Sequence, residues 1–415
     1  MKISLKLNLA LFIVTIYLVS CTKQVDLMNS EASQIANATR DANLQTARMT
    51  QDGSLADSYI IVFKDDVTNI DDEINQASKK YGLNIKFKYK NAIKGFSAKL
   101  PAGALNGLMN NPNIAYIEQD QIMSANIIQT PVPSWGLDRI DQASLPLSGG
   151  FTYTADGTGV DAYIFDTGIL LEHAEFGGRA VGGFSSIGIN TNWTDQNGHG
   201  THVAGTVGGI NYGVAKKINL IAVRVLDAAG SGTNSGVIAG IDWAIAHHVI
   251  TKPAVGNMSL GGGASTAIDA AVNKAISDGI VMCVAAGNDG RSASNYSPAR
   301  VTNAITVGAT GFSARLATYD AFASYSNSGS VVDILAPGSG ITSAWIGSTS
   351  AIKTISGTSM ATPHVAGVVG LYLSKNLLQI PSPAAVQTAI KSAATLNKIS
   401  GVPRGTVNSL LNTKY

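Results

Sequence analysis

The sequence is poor in charge and in cysteine. Charged residues make up 13% of its 415 residues, against a typical value of about 25%, and the net charge is only +2. This balance excludes a general nucleic-acid binder, which needs a strongly basic surface. The two cysteines, Cys21 and Cys283, exclude a disulfide scaffold and a zinc cluster of thiolates. No repeat at a period of about 20–50 residues is visible.

Apolar residues and glycine are plentiful. Apolar residues make up 45% of the chain and the mean hydropathy is +0.16, so a full core can form and global disorder is excluded. Glycine contributes 44 residues, above its usual share of about 7%. Without a collagen-like period, this excess predicts many tight turns and close backbone approaches.

Residues 1–21 have the pattern of a secretory signal: two lysines, an apolar stretch over 7–19, and a small residue before Cys21. The apolar stretch is shorter than the roughly 20 residues of a membrane-spanning helix. Residues 18–21 also resemble a bacterial lipobox, which predicts lipidation of Cys21. The alternative is an ordinary signal peptide with an incidental cysteine. Cys283 lies in a later apolar run, so we expect it to be a buried core residue.

The remaining chain divides by composition into three parts. Residues 22–57 are small and polar, which predicts a flexible tether. Residues 58–126 have strand and helix patterns in the order βαββαβ, typical of a small α+β ferredoxin-like domain. Residues 127–415 alternate apolar strands with helices, which predicts an α/β domain with a mostly parallel sheet covered by helices on both faces. In such sheets functional residues gather at the carboxyl ends of strands.

Four segments of the large domain carry reactive side chains among small residues: 166–168, 197–205, 285–288 and 357–367. A serine hydroxyl needs a base, a histidine is the natural base, and a buried carboxylate fixes its tautomer. An amide donor can then stabilise the oxyanion. His199 and His202 lie three residues apart, but no His-Glu-x-x-His pattern supports a metal site. The order of the segments is Asp, then His, then Ser.

These segments resemble the subtilisin-like serine proteases in sequence and order, and residues 135–140 resemble the mature start of the proteinase K-like subfamily. The resemblance implies that Asp166 orients the histidine, that His199 is the general base, and that Ser359 is the nucleophile. It assigns the oxyanion donors to the Asn288 amide and the Ser359 N–H. His202 and His364 are expected to be structural.

The resemblance also implies a substrate bound as an added β-strand between two chain segments, with broad specificity. A third segment would form a pocket wall. Because no motif places an acidic residue there, we expect apolar or aromatic side chains at P1. The three segments comprise Gly230, Ser231 and Gly232; Ser259, Leu260 and Gly261; and Ala285, Ala286 and Gly287.

Two further expectations follow from the resemblance. The small domain resembles an inhibitor-type propeptide, with self-cleavage expected near Asn126; a permanent regulatory domain is the alternative. A structural Ca²⁺ site maps to Thr302, Ala304 and Asp333, whose hard oxygen ligands suit that ion, although Asp333 has an alternative as a plain turn residue. No cofactor is expected for catalysis.

The resulting hypothesis is an exported, self-processing serine endopeptidase that is monomeric and inhibited by its own propeptide. A lipidated precursor would be held at the membrane, and the mature enzyme would be extracellular or periplasmic. Protein and peptide substrates are expected as partners, without nucleic acid. The alternatives are a protease fold locked by its propeptide, acting as a binding protein, and an esterase that uses the same three residues.

Overall fold

The computed structural model describes residues 54–101, 103–121, 127–188, 192–312 and 320–414. The predicted signal peptide with Cys21, most of the tether and Asn126 lie outside this described part. The chain divides between Ser124 and Ala125 into two compact units. No helix in the described ranges has both the length and the apolar character needed to cross a membrane.

The first unit is a four-stranded antiparallel sheet with two helices, in the sheet order β2-β3-β1-β4. Its core contains Ile61, Phe96 and Leu108, all fully buried. The βαββαβ order is therefore confirmed, but residues 54–57 belong to β1 and not to the tether, because Ser54 pairs with Gln121. The elements are β1 (Ser54–Phe63), α1 (Ile70–Tyr81), β2 (Asn84–Tyr89), β3 (Gly95–Lys99), α2 (Ala104–Met109) and β4 (Ile114–Gln121).

The second unit is an α/β domain built on one large sheet. Its first half contains β5 (Ile127–Gln129), α3 (Trp135–Ile140), β6 (Phe151–Tyr153), β7 (Asp161–Asp166), β8 (Ala180–Ser185), α4 (His199–Gly208), β9 (Asn219–Arg224), α5 (Asn234–His247), β10 (Ala254–Met258) and β11 (Gly262–Gly263). Its second half contains α6 (Thr266–Ser277), β12 (Ile280–Ala285), β13 (Tyr296–Ser297), β14 (Ile305–Phe312), β15 (Asp320–Phe322), β16 (Ile334–Pro337), β17 (Ile341–Ala344), β18 (Ile352–Ile355), α7 (Thr358–Lys375), α8 (Pro383–Ala393), β19 (Thr395–Leu396), β20 (Ile399–Ser400) and β21 (Ser409–Leu410).

The large sheet is parallel through its centre, in the order β16-β14-β12-β10-β7-β9-β8. Antiparallel pairs join β19 to β21 and β15 to β14 at one side. The predicted mostly parallel sheet is therefore confirmed. The sequence pattern does not indicate β8, because two adjacent glycines interrupt its apolar residues.

Alternation along the strands divides the core into two layers. In β7, Ala162 and Ile164 pack with α4, α7 and α8, whereas Tyr163 and Phe165 pack with α5 and α6 on the other face. Successive side chains of a strand point to opposite faces, so a strand buried on both sides must be apolar throughout. This arrangement brings the carboxyl ends of β7, β10 and β12 to the same edge of the sheet.

Candidate active site

Asp166 is the last residue of β7 and is fully buried. Its Oδ1 atom accepts 2.8 Å hydrogen bonds from the Thr167 N–H and from His199 Nδ1. Because a carboxylate can only accept, the proton of the neutral imidazole lies on Nδ1. The other ring nitrogen, Nε2, is then free to accept a proton from a nucleophile.

His199 is the first residue of α4, and its side chain is 25% exposed. Burial acts to lower the pKa of His199, but the charge and hydrogen bond of Asp166 and the charge of Asp195 together raise it above its usual value. The protonated form of His199 is therefore favoured by two carboxylates.

Gly198, just before α4, must be a glycine for two reasons. Its φ angle of +105° lies in the left-handed region, and a Cβ atom there would come within 2.4 Å of the Trp345 ring. The Trp345 ring therefore packs against the chain at the residue that precedes α4 and His199.

Ser359 lies in the first turn of α7, at the carboxyl-end edge of the sheet. Its Oγ atom donates a 3.2 Å hydrogen bond to the Ser259 carbonyl, and Ser259 Oγ donates a 2.8 Å bond to the Ser359 carbonyl. Asn257 Nδ2 in turn donates to Ser259 Oγ at 2.9 Å. Among the hydrogen bonds of the described residues, the Ser359 hydroxyl bonds this carbonyl and not His199.

Asn288 follows β12 and is held to the first residue of α7. Its Oδ1 accepts bonds from the Thr358 N–H at 2.8 Å and from Thr358 Oγ1 at 2.9 Å. These two donors fix the amide orientation, so Nδ2 faces the other way. A Cβ atom on Gly357 would lie 3.6 Å from both Asn288 Nδ2 and the Ser359 nitrogen, and 3.7 Å from Asn288 Oδ1. The Asn288 amide and the Ser359 nitrogen are therefore close neighbours beside Gly357.

A groove of about 520 Å³ passes His199. Two of the three predicted substrate segments line it, namely 230–232 and 259–261. The third segment does not line it: Ala285 and Ala286 are buried at the end of β12, and the Gly287 N–H donates to Thr358 Oγ1. Of the described residues that line the groove, His199 is the one with a titratable side chain.

Asp195 is a buried carboxylate that motif reasoning does not select. Its Oδ1 accepts from Thr167 Oγ1 (2.8 Å) and from the N–H groups of Asn197 and Gly198 (both 2.9 Å). Its Oδ2 accepts from the N–H and the hydroxyl of Thr201. Thr167 follows Asp166, and Thr201 lies two residues after His199. The signal in the sequence is an acidic residue four positions before the predicted base, in a turn at the start of a helix.

The remaining histidines of these motifs are structural, as the sequence predicts. His202 Nε2 donates to the carbonyls of Ile341 and Lys353, and His364 Nδ1 donates to the carbonyl of Met360. Burial lowers the pKa of each to about 4. Both are therefore neutral at pH 7. Cys283 is fully buried in β12, and burial raises the pKa of its thiol, so it is not a reactive cysteine.

Of the three residues predicted to bind calcium, Ala304 and Asp333 do not fit that ion as they are arranged here, and Thr302 is exposed. The carbonyl of Ala304 accepts a hydrogen bond from Gln387 Nε2 at 3.1 Å. The carboxylate of Asp333 forms an ion pair with Lys391 at 2.6 Å and accepts from the Thr306 N–H. Among the described residues, no cluster of three or more His, Cys, Asp or Glu side chains has the geometry of a metal site.

Comparison with known proteins finds relatives for both units of the chain. Residues 157–409 match the subtilase family, and residues 58–126 match peptidase inhibitor I9. The chain is 52% identical to the extracellular serine proteinase of Thermus sp. (strain Rt41A), over 80% of this chain and 79% of that protein. It is 45% identical to alkaline serine exoprotease A of Vibrio alginolyticus, over 93% and 72%. The crystal structure of a cold adapted subtilisin-like serine proteinase superposes with a TM-score of 0.65 at 50% identity, covering 69% of this chain and all of that one.

Proposed function

Because the chain belongs to the subtilase family of serine proteinases, we propose that it is an endopeptidase with Ser359 as nucleophile, His199 as general base and Asp166 as its partner. The observation that carries this assignment is the 2.8 Å bond between Asp166 Oδ1 and His199 Nδ1. It leaves His199 Nε2 as the acceptor for the serine proton.

In the proposed reaction, the Ser359 hydroxyl turns from the Ser259 carbonyl toward His199 Nε2 and attacks the scissile carbonyl carbon. His199 takes the serine proton and then passes it to the leaving amine, which yields an acyl-enzyme. Water repeats the sequence and releases the acid. Asp166 stabilises the transient imidazolium by its charge and its hydrogen bond.

The oxyanion of each tetrahedral intermediate would occupy the space beside Gly357. Asn288 Nδ2 and the Ser359 N–H are the donors proposed for it, and both are held before substrate arrives. Thr358 holds the amide by two hydrogen bonds, and the start of α7 adds the positive end of its helix dipole. Preorganised donors of this kind need no reorganisation during the reaction.

Substrate would lie in the groove as an added strand between residues 230–232 and 259–261. We propose an apolar or aromatic P1 preference, supported by Leu260 and by the absence of charged side chains among the described groove residues. Main-chain recognition makes the specificity broad. A substrate series that favours Lys or Asp at P1 would contradict this preference.

The segment that matches peptidase inhibitor I9 supports intramolecular inhibition and self-cleavage near Asn126. Export is proposed because the relative from Thermus sp. is described as extracellular. If Cys21 is lipidated, the lipid stays on the propeptide side, and cleavage frees the enzyme from the membrane. Mature enzyme that stays membrane-bound after complete cleavage would contradict the anchor.

The test compares wild type with Ser359→Ala, both expressed with the propeptide, by intact mass and N-terminal mapping. Wild type should yield a fragment of about 30 kDa starting near residue 127, the share of the 42.9 kDa chain that follows Asn126. The variant should stay full length. If both proteins stay intact, the chain is better explained as a protease fold locked by its propeptide, acting as a binding protein. Activity on small esters without activity on casein would instead identify an esterase.

A further inference from the structure

Helix α8 presents two polar side chains, one turn apart, to the atoms predicted to bind calcium. Gln387 Nε2 donates to the carbonyl of Ala304 at 3.1 Å, and Lys391 Nζ lies 2.6 Å from Asp333 Oδ1. Residues four apart on a helix lie on the same face. One helix face therefore supplies a hydrogen-bond donor to the carbonyl and a positive charge to the carboxylate.

The register of this face is set by the core. Val386 and Ile390 are fully buried in the layer that α8 shares with the sheet, and Ser382 caps the helix by accepting from the Ala385 N–H. Gln387 and Lys391 each follow one of these buried residues. The packing that holds Val386 and Ile390 thus also places the two polar side chains, and Lys391 in the last turn is further favoured by the helix dipole.

Asp333 needs a counter-charge at this position. It directly precedes β16, and its side chain is only 14% exposed. Its Oδ2 accepts from the Thr306 N–H at 3.0 Å, and the Thr306 carbonyl accepts from the Asp333 N–H at 2.9 Å. The carboxylate therefore lies where the neighbouring strands β14 and β16 start, and Lys391 supplies the compensating charge.

A divalent ion and the Lys391 ammonium cannot share these partners. Calcium needs six to eight oxygen ligands, whereas the Ala304 carbonyl and both Asp333 oxygens here face N–H donors. A bound metal would also stand beside a positive charge. We propose that Lys391 is the built-in cation of this site, joining α8 to the start of β16 in place of a metal ion.

The test uses the full chain carrying Ser359→Ala, so that self-digestion does not distort the unfolding curves. Lys391→Ala is compared with Lys274→Ala, which removes an exposed lysine from the last turn of α6 and so matches the helix-dipole effect. Thermal unfolding is followed in EDTA and in about 10 mM CaCl₂, roughly tenfold above the weaker range of protein calcium sites. Asp333→Asn serves as the control for location, because a calcium-dependent change in Tm that this substitution abolishes must arise at this site.

We expect the Tm of Lys391→Ala in EDTA to lie about 2 °C below that of Lys274→Ala, as for a partly exposed ion pair in a domain of this size. Calcium should raise the Tm of Lys391→Ala, and adding Asp333→Asn should abolish that gain. In the parent, Asp333→Asn should not change the effect of calcium on the Tm, because we expect no calcium to bind at this site.

Three results would overturn the proposal. The first is a calcium-dependent Tm of the parent that disappears with Asp333→Asn, which would show a metal bound despite the lysine. The second is a Lys391→Ala variant as stable in EDTA as Lys274→Ala. The third is a lowered Tm of Lys391→Ala that calcium does not raise, which would show that the ion pair of Lys391 with Asp333 is only an ordinary surface contact.

Discussion

The substitution Asp195→Asn tests whether this buried carboxylate positions the proposed catalytic pair. Asp195 is 4% exposed and accepts five hydrogen bonds from the two segments that carry Asp166 and His199. An asparagine keeps the shape but removes the charge and turns one acceptor oxygen into a donor. The change therefore separates the electrostatic role from simple space filling.

The magnitude follows from the hydrogen bonds that an amide cannot make. In its less costly orientation the new NH₂ group faces Thr201 and leaves the Thr201 N–H without an acceptor, at a cost of about 1–3 kcal/mol. Loosening this junction displaces Asp166 against His199, and a shift approaching 1 Å costs up to about 100-fold in rate. We expect kcat to fall about 10- to 100-fold, with KM little changed.

The pH profile gives the more specific result. Asp195 helps to raise the pKa of His199, so in the parent the acid limb of kcat/KM should lie above the usual histidine pKa of about 6.5. Catalysis needs neutral His199, so activity is lost as the pH falls through that pKa. Removing the charge of Asp195 lowers the pKa and should move the acid limb to lower pH.

The assay is hydrolysis of a chromogenic peptide anilide with phenylalanine at P1, measured across the acid limb. Asp138→Asn is the matched control, because Asp138 is 3% exposed and accepts from the N–H groups of Ser148 and Gly149. It should lower stability without moving the limb. If the acid limb of Asp195→Asn lies at the same pH as that of the parent, and its rate loss is no larger than that of Asp138→Asn, then Asp195 does not position the pair.

Two more predictions test other groups. In subtilisin, a relative of this chain, loss of one oxyanion donor lowers kcat by about 10²–10³-fold. We expect Asn288→Ala to lower kcat by the same order here, with nearly unchanged KM. A loss in kcat of less than tenfold would contradict the assignment of Asn288 as an oxyanion donor. His364 has a pKa of about 4 in the folded state and about 6.5 when unfolded. The unfolded state alone therefore takes up this proton as pH falls from about 6.5 to 4, which costs up to about 3 kcal/mol of stability at pH 4. His364→Gln should flatten that part of the curve in urea unfolding, and an unchanged slope would contradict this account.

The sequence predicts those parts of the molecule that depend on local pattern. Continuous apolar runs such as β7 and β12 indicate a sheet buried on both faces, and residues at their carboxyl ends do meet at one edge. The strand β8 is not indicated, because its place is set by pairing with β9 and not by its own glycine-interrupted residues. Local pattern also does not show that β1 extends back to Ser54, because its partner Gln121 is distant in sequence.

The site shows the same division. Motif segments predict Asp166, His199, Ser359 and Asn288, because each has a reactive side chain among small residues. The motifs do not indicate Asp195, because its carboxylate acts through hydrogen bonds from backbone N–H groups, which a sequence does not show. They do not indicate the pairing of Lys391 with Asp333 either, because 58 residues separate them and only the packing of α8 brings them together.

Whether Ser359 is the nucleophile can be measured by treating the processed enzyme with a sulfonyl fluoride and mapping the modified residue by mass spectrometry. We expect one sulfonyl group per chain, on Ser359, with a labelling rate that falls in parallel with activity as His199 becomes protonated. Labelling at another residue, a rate that does not change across the acid limb, or full activity after Ser359 is labelled would contradict this expectation.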